Sequence, residues 1–247
     1  MQNRWDPEQA AACADELELR AYSSRLLGQD PSQVLHGGGN TSVKLHQTNQ
    51  VGEDEEILFV KGSGWDLADI QPAGFAPVRM AHLLELARLE QLSDRQMVNE
   101  LKTQLTDAAA PTPSVETILH AVLPHRYVDH THADAVLAIS DSRDGEARIR
   151  ACYGDSVVVI PYVMPGFELA RLVAQRFPAE VHAGTRGMVL LQHGIFSFGA
   201  SAEESYTRMI ELVARAEDYL RAEGAWDLPA PPPAEPPAAP LAPELAA

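Results

Sequence analysis

Two histidines separated by one residue, His130 and His132, carry the strongest chemical signal in the sequence. Their apolar flanks predict a buried strand, and side chains at positions i and i+2 of a strand point to the same face. The two imidazoles would lie about 6–7 Å apart along that face, close enough to bind one divalent metal. A third histidine, His193, follows an apolar run over residues 187–191. Three histidines leave one position open on a tetrahedral metal, which is typical of a catalytic site.

The histidine pair also has a structural interpretation that involves no metal. Two histidines in this spacing are often polar groups on the solvated face of a sheet. The apolar residues on both sides favour a buried strand instead, and a buried imidazole needs a polar partner. The pattern therefore favours metal binding without deciding it.

An acidic residue, Glu116, follows Pro113, Ser114 and Val115 at the start of a predicted short helix. A carboxylate in this position can simply complement the helix dipole. Beside a metal bound by three histidines, the same group can transfer protons. Both interpretations stay open at the level of the sequence.

Two glycine-containing turns precede the histidine pair, one over residues 37–39 and one over residues 61–64. Backbone N–H groups in such turns can form concave anion sites. Asn40 adds a side-chain donor after the first turn, and Lys61 adds a cation to the second. Either segment could be an ordinary tight turn, and neither matches a Walker A loop or a dinucleotide fingerprint. In one chain with a metal site, however, the two turns predict a phosphorylated substrate.

The composition excludes several classes of partner. A formal net charge of −16 disfavours nucleic acid and anionic membranes, because both are bound by basic surfaces. No run of about 18 apolar residues is present, so we expect no membrane span, and the first residues do not resemble a signal peptide. Cys13 and Cys152 form no metal-binding motif and no disulfide framework. We therefore expect a cytoplasmic protein.

The elements that must position these residues follow from apolar periodicity. Helices are predicted over residues 6–27, 75–90, 93–105, 143–152, 166–177 and 202–223. Strands are predicted around residues 43–45 and the histidine pair, and over residues 57–60, 157–160, 188–192 and 195–198. This interleaving favours a layered α/β domain over residues 1–227. Residues 228–247 are rich in proline and alanine, so we expect them to form a disordered tail.

Five segments, taken together, resemble the class II aldolase/adducin family, which includes fuculose- and rhamnulose-1-phosphate aldolases and ribulose-5-phosphate 4-epimerase. They occur in the family's order and are Gly39-Asn40-Thr41-Ser42, Lys61-Gly62-Ser63-Gly64, Pro113-Ser114-Val115-Glu116, His130-Thr131-His132 and His193-Gly194. The first and third are most similar to the aldolase half of rhamnulose-type bifunctional aldolase/short-chain dehydrogenase proteins. In those proteins a proline-rich linker leads to a dehydrogenase domain.

The resemblance implies an α/β/α layered fold with a central, largely antiparallel sheet, and a homotetramer with active sites between subunits. It assigns Zn²⁺, or another divalent metal, to His130, His132 and His193, and the acid/base role to Glu116. It assigns binding of the substrate's phosphate to Gly39, Asn40, Ser63, Gly64 and Ser114. Small aldolases of the family often have a second serine where this chain has Val115, so one hydroxyl of the expected phosphate site is missing.

The activity implied by the resemblance is cleavage of a ketose phosphate through a zinc-stabilised enediolate, with Glu116 moving the proton. A 4-epimerase or dehydratase on the same metal site and a non-enzymatic adducin-like module are the alternatives. The three retained histidines disfavour the adducin-like module. We expect a neighbouring subunit to complete the site, with Tyr162 and Tyr206 as candidates. A separately encoded dehydrogenase is a further expected partner, and the sequence does not name the sugar.

Overall fold

The computed structural model describes residues 1–227, and the tail predicted over residues 228–247 lies outside the described residues. The strands are β1 (Asn40–Thr48), β2 (Asp54–Lys61), β3 (Phe75–Arg79), β4 (Tyr127–Thr131), β5 (Val157–Ile160), β6 (Gly187–Leu190) and β7 (Gly194–Gly199). They form one sheet in the order β3-β2-β1-β4-β7-β6-β5. Only β5 and β6 pair in parallel, whereas the other neighbours pair antiparallel. The predicted largely antiparallel sheet is confirmed, with β4 at its centre.

Helices cover both faces of this sheet. They are α1 (Pro7–Ala11), α2 (Glu16–Gly28), α3 (Met80–Leu86), α4 (Asp94–Thr103), α5 (Thr117–Val122), α6 (Asp134–Ser140), α7 (Gly145–Tyr153), α8 (Phe167–Glu180) and α9 (Ala202–Ala222). Apolar residues of α3, α4, α5 and α8 share a core with one face of the sheet, and those of α2, α6, α7 and α9 pack on the other. The α/β/α architecture is therefore confirmed. Within residues 1–227, none of the helices combines the length and the apolar character that crossing a membrane requires.

Two predicted helices differ from the structure. The helix predicted over residues 6–27 is interrupted, because Asp15 caps a new helix by accepting the N–H groups of Leu17 and Glu18 at 2.9 and 2.8 Å. The helix predicted over residues 75–90 begins only at Met80, because residues 75–79 pair with β2 as strand β3. Pro77 fits there because β3 is an edge strand of the sheet.

The central strand β4 is buried along its whole length, and it carries polar side chains on both faces. His130 stacks on Phe196 of β7, with ring centroids 4.1 Å apart. On the opposite face, Asp129 accepts hydrogen bonds from Arg20 Nη2 and from Ser205 Oγ, each at 2.5 Å. The Arg20–Asp129 ion pair is completely shielded from solvent. It joins α2 to the strand that carries His130.

Removing one member of this ion pair should destabilise the protein strongly. We expect Arg20→Met to lower the free energy of unfolding by about 3–5 kcal/mol, because Asp129 then becomes a buried charge without its cation. Urea titration followed by circular dichroism measures the change. Arg171→Met, which removes a surface pair with Glu168, is the matched control and should cost less than about 1 kcal/mol. Equal effects of the two substitutions would contradict the importance of the pair.

Candidate metal centre

The segments singled out by their chemistry meet at one edge of the sheet. Thr131 at the end of β4 lies opposite Ile195 of β7, so the residues just outside these two strands, His132 and His193, come together. Asn40 at the start of β1 lies opposite His130. Strand β2 also ends at this edge, with Lys61. Antiparallel pairing therefore assembles residues that are far apart in the sequence.

Three histidines form the centre of the site. His130, His132 and His193 each offer one ring nitrogen, and these nitrogens lie within 4.8 Å of one another. The Nε2 atoms of His130 and His132 are 3.0 Å apart. The prediction that both histidines of the pair lie in the strand was wrong for His132, because β4 ends at Thr131. In the loop beyond the strand, the His132 ring turns toward that of His130, with centroids 4.8 Å apart.

The backbone around the cluster needs glycine at two positions. Gly194 has a φ of +154°, and a Cβ there would lie 2.4 Å from the carbonyl oxygen of Thr131. Gly39 has a φ of +63°, and its Cβ would lie 2.7 Å from the carbonyl oxygen of His130. Only glycine allows such close approach to β4. Gly39, predicted to contact phosphate, therefore also has a packing role beside His130.

The histidines are held in the form that binds metals. His130 Nδ1 donates to the carbonyl oxygen of Ile195 at 3.1 Å, so its Nε2 keeps a lone pair directed toward the cluster. Burial lowers the pKa of His130 well below its usual value, and the neighbouring His132 and His193 lower it further. Burial likewise lowers the pKa values of His132 and His193. Neutral imidazole is the ligand form of histidine.

The carboxylate of Glu116 lies against this cluster. Its Oε2 atom is 3.5 Å from His130 Nε2, and its Oε1 atom is 3.4 Å from His193 Nε2. Glu116 precedes α5 but makes no side-chain cap hydrogen bond. Burial raises the pKa of its carboxyl group, an effect opposed by His193, by a hydrogen bond from Asn40 and by Lys61. Within residues 1–227, neither Glu116 Oε1 nor His193 Nδ1 has a hydrogen-bond partner, although both atoms are buried.

Two residues predicted to bind phosphate are tied to Glu116. Asn40 Nδ2 donates to Glu116 Oε2 at 2.6 Å and to Ser114 Oγ at 3.1 Å. Ser114 Oγ also accepts the N–H of Glu116 at 3.3 Å. These three bonds orient the carboxylate toward the histidines.

The other predicted phosphate ligands lie in the turn after β2. Ser63 and Gly64 are exposed, and the N–H of Ser63 donates to the carbonyl oxygen of Thr112 at 2.8 Å. The Ser114 N–H donates to the carbonyl oxygen of Lys61 at 3.3 Å, so this turn is joined to the segment before Glu116. Lys61 is buried, and its Nζ donates to the carbonyl oxygen of Gly37 at 3.0 Å. Lys61 thereby links the two glycine-containing turns.

The two tyrosines that were expected to reach a neighbouring subunit differ in their exposure to solvent. Tyr206 is excluded, because it is fully buried and its hydroxyl accepts the N–H of Arg4 at 3.0 Å. Tyr162 is 50% exposed and follows β5, which ends at the same edge of the sheet as β6.

A further imidazole, that of His120, is fully buried and hydrogen-bonded to Asn40, and it was not predicted from the sequence. The available signal was its position one helical turn after Glu116.

This chain matches a known protein family and a known bacterial protein. Residues 18–220 match the family described as Class II Aldolase and Adducin N-terminal domain. A Bacillus subtilis (strain 168) protein named Uncharacterized oxidoreductase YuxG is 36% identical over 217 residues, which cover 87% of this chain and 31% of that protein. This chain therefore spans about a third of the length of that relative.

Solved structures share the fold. The N-terminal class II aldolase domain of a conserved protein from Thermoplasma acidophilum superposes with a TM-score of 0.82 and 41% identity, covering 90% of this chain and 100% of that one. A sugar-phosphate aldolase from Thermotoga maritima superposes with a TM-score of 0.63 at 14% identity, covering 87% and 97% of the two chains. At that identity the likeness concerns the fold alone.

Metal binding should stabilise the folded chain. We expect Zn²⁺ added to chelator-treated protein to raise the melting temperature, because a ligand at 100 times its Kd stabilises the native state by about 2.7 kcal/mol. His132→Ala should remove this effect and lower the metal content measured by mass spectrometry. His46→Ala, which replaces an exposed histidine of β1, should change neither. An unchanged metal content in a folded His132→Ala variant would rule out the assignment.

Proposed function

Because the chain belongs to the class II aldolase and adducin N-terminal domain family, we propose that it is a metal-dependent aldolase that cleaves a ketose phosphate of the rhamnulose- or fuculose-1-phosphate type. The observation that carries this proposal is the buried carboxylate of Glu116, within 3.5 Å of nitrogens of His130 and His193. An acid held against a metal-binding cluster suits proton transfer next to a polarised carbonyl group. A non-enzymatic adducin-like module has no need for such a group.

The residues fit a divalent cation. The three imidazoles converge, their pKa values are lowered, and His130 directs a lone pair to the centre. Nitrogen donors without thiolates or several carboxylates suit zinc. We therefore propose His130, His132 and His193 as ligands of Zn²⁺. The bound ion would supply Lewis-acid charge that stabilises negative charge on the substrate's oxygens.

The chain's own residues supply the proton transfer and the binding of the phosphate. Burial moves the pKa of Glu116 upward, toward the pH at which one group can both accept and donate a proton. We propose that the phosphate lies against the two linked turns and the segment before Glu116. Its proposed ligands are Gly39, Asn40, Ser63, Gly64 and Ser114. Lys61 adds the positive charge that the overall composition lacks, and Val115 contributes no hydroxyl.

We also propose an assembly and a partner. The family resemblance favours a homotetramer in which a neighbouring subunit completes the site, and the exposed Tyr162 remains a candidate for that role.

The relative named as an oxidoreductase is about three times as long as the matched region. The printed name of that relative supports a dehydrogenase as a partner of the present domain. Two unpaired cysteines agree with the expected cytoplasmic location.

The role of Glu116 can be tested without knowing the aldehyde partner. We expect Glu116→Gln to stay folded and to bind metal, but to lose on the order of 10²–10⁴-fold in proton exchange between dihydroxyacetone phosphate and heavy water. Glutamine keeps the size of the side chain and removes the group that carries the proton. Exchange at the full rate in Glu116→Gln would assign the proton transfer to another group.

The same assay distinguishes the alternatives. Absence of exchange in the wild-type protein would favour a 4-epimerase or a dehydratase on the same centre. A coupled assay that detects triose phosphate over a panel of ketose phosphates identifies aldol cleavage directly, because neither alternative releases a triose phosphate.

The role of Lys61 in binding the phosphate predicts a different kinetic signature. We expect Lys61→Met, which keeps the side-chain length, to raise KM at least about tenfold with little change in kcat, because binding is lost equally in the ground and transition states. Lys102→Met removes an exposed lysine of α4 and should leave both constants unchanged. An unchanged KM in Lys61→Met would place the phosphate elsewhere.

A further inference from the structure

A chain of three buried hydrogen bonds leads from β1 to the carboxylate of Glu116. His120 Nδ1 lies 2.7 Å from Ser42 Oγ, and His120 Nε2 is hydrogen-bonded to Asn40 Oδ1. Asn40 Nδ2 then donates to Glu116 Oε2 at 2.6 Å. The four side chains are buried. Within residues 1–227, Ser42 and His120 make no hydrogen bond to the histidine cluster and are shielded from solvent, yet both are connected to the acid.

The chemistry of the partners fixes the direction of each bond. The amide nitrogen of Asn40 faces two oxygens, those of Glu116 and Ser114, so its carbonyl oxygen faces His120. A carbonyl oxygen only accepts, so His120 Nε2 must donate, and Nδ1 accepts the hydroxyl proton of Ser42. Burial lowers the pKa of His120 to about 3, helped by the charges of Lys44 and Arg20. The ring is therefore neutral and carries one N–H.

An asparagine amide can turn over with little change in shape. If Asn40 turned, its Oδ1 atom would face the carboxylate of Glu116, and its NH₂ group would face the N–H of His120. With His120 in the Nε2–H tautomer, both contacts would then be repulsive. From this we infer that His120 is a positioning residue, which locks the amide of Asn40 so that Glu116 Oε2 is held and Oε1 stays directed at His193. The inference rests on the proposed proton-transfer role of Glu116.

The competing explanation is that His120 merely fills space. Its ring lies 5.5 Å from that of Phe196, so an apolar side chain of similar size would serve such a role equally well. The two explanations differ in what a substitution changes. If His120 only fills space, its substitution lowers stability. If His120 holds the amide of Asn40 in place, its substitution lowers kcat.

A double-mutant cycle tests the lock in the metal-loaded protein. We expect His120→Leu to lower kcat by about 10–100-fold, with KM changed less than about threefold. Asn40→Ala should lose a similar factor, and the double variant should be no worse than Asn40→Ala alone, because both residues act through one hydrogen bond. His120→Gln, whose amide can donate to Asn40, should recover most of the rate. Independent, multiplicative losses would overturn the inference.

A second imidazole of this layer, which is half-buried, provides the control. His125 stacks on Phe198 with ring centroids 4.1 Å apart, and its ring makes no hydrogen bond to Asn40. We expect His125→Leu to keep the wild-type kcat. An equal loss of kcat in His125→Leu and His120→Leu would show general loosening of this layer and would overturn the inference.

Two measurements test the lock without using activity. Nitrogen-15 NMR should show His120 as the neutral Nε2–H tautomer between pH 5 and 8, and the Nδ1–H tautomer would overturn the inference. A crystal structure of His120→Leu should show the Asn40 amide or the Glu116 carboxylate displaced, whereas an unchanged Asn40–Glu116 bond would overturn it. If the lock is seen but no ketose phosphate reacts, the proposed function fails and the orientation of Glu116 by His120 stands.

Discussion

The site depends on a central strand that buries polar groups on both faces. Asp129 is paired with Arg20 on one face of β4, and His130 joins the histidine cluster on the other. Side chains alternate along a strand, so a shift of one residue would exchange the two faces. Asp129 would then lie on the face that carries the histidines, away from the guanidinium group of Arg20. A buried unpaired charge costs several kcal/mol. The ion pair therefore fixes the register that presents His130 to its neighbours.

The neighbouring strand β1 secures the acid in the same way. Its residues Asn40, Ser42 and Lys44 alternate toward the layer that contains α5. Asn40 and Ser42 are bonded to side chains of that segment, and Lys44 Nζ donates to the carbonyl oxygen of His125 at 2.8 Å. A helix as short as α5 has little stability of its own. The position of Glu116 is thus imposed by the sheet.

Charge is distributed unevenly between the surface and the site. The chain carries a formal net charge of −16, which by itself would repel a phosphorylated sugar. Lys61 is buried where the two glycine-containing turns meet and provides local positive charge. Folds of this kind support several reactions, so the chemistry must be argued from the side chains. Here the argument for the proposed chemistry rests on a buried acid, three neutral imidazoles and a cation beside the turns.

Local sequence indicated the candidate site residues and most of the elements that hold them. Residue type singled out the histidines His130, His132 and His193 and the acid Glu116. Apolar periodicity, which acts over a few residues, indicated the layered α/β class. Tertiary structure decided the rest. It made residues 75–79 a strand, because an edge was available beside β2, and it buried Tyr206. It also brought Ser42 and Asn40 to His120 across 78 and 80 positions of the chain. No local pattern encodes such contacts, because strand pairing and core packing set them only when distant segments meet.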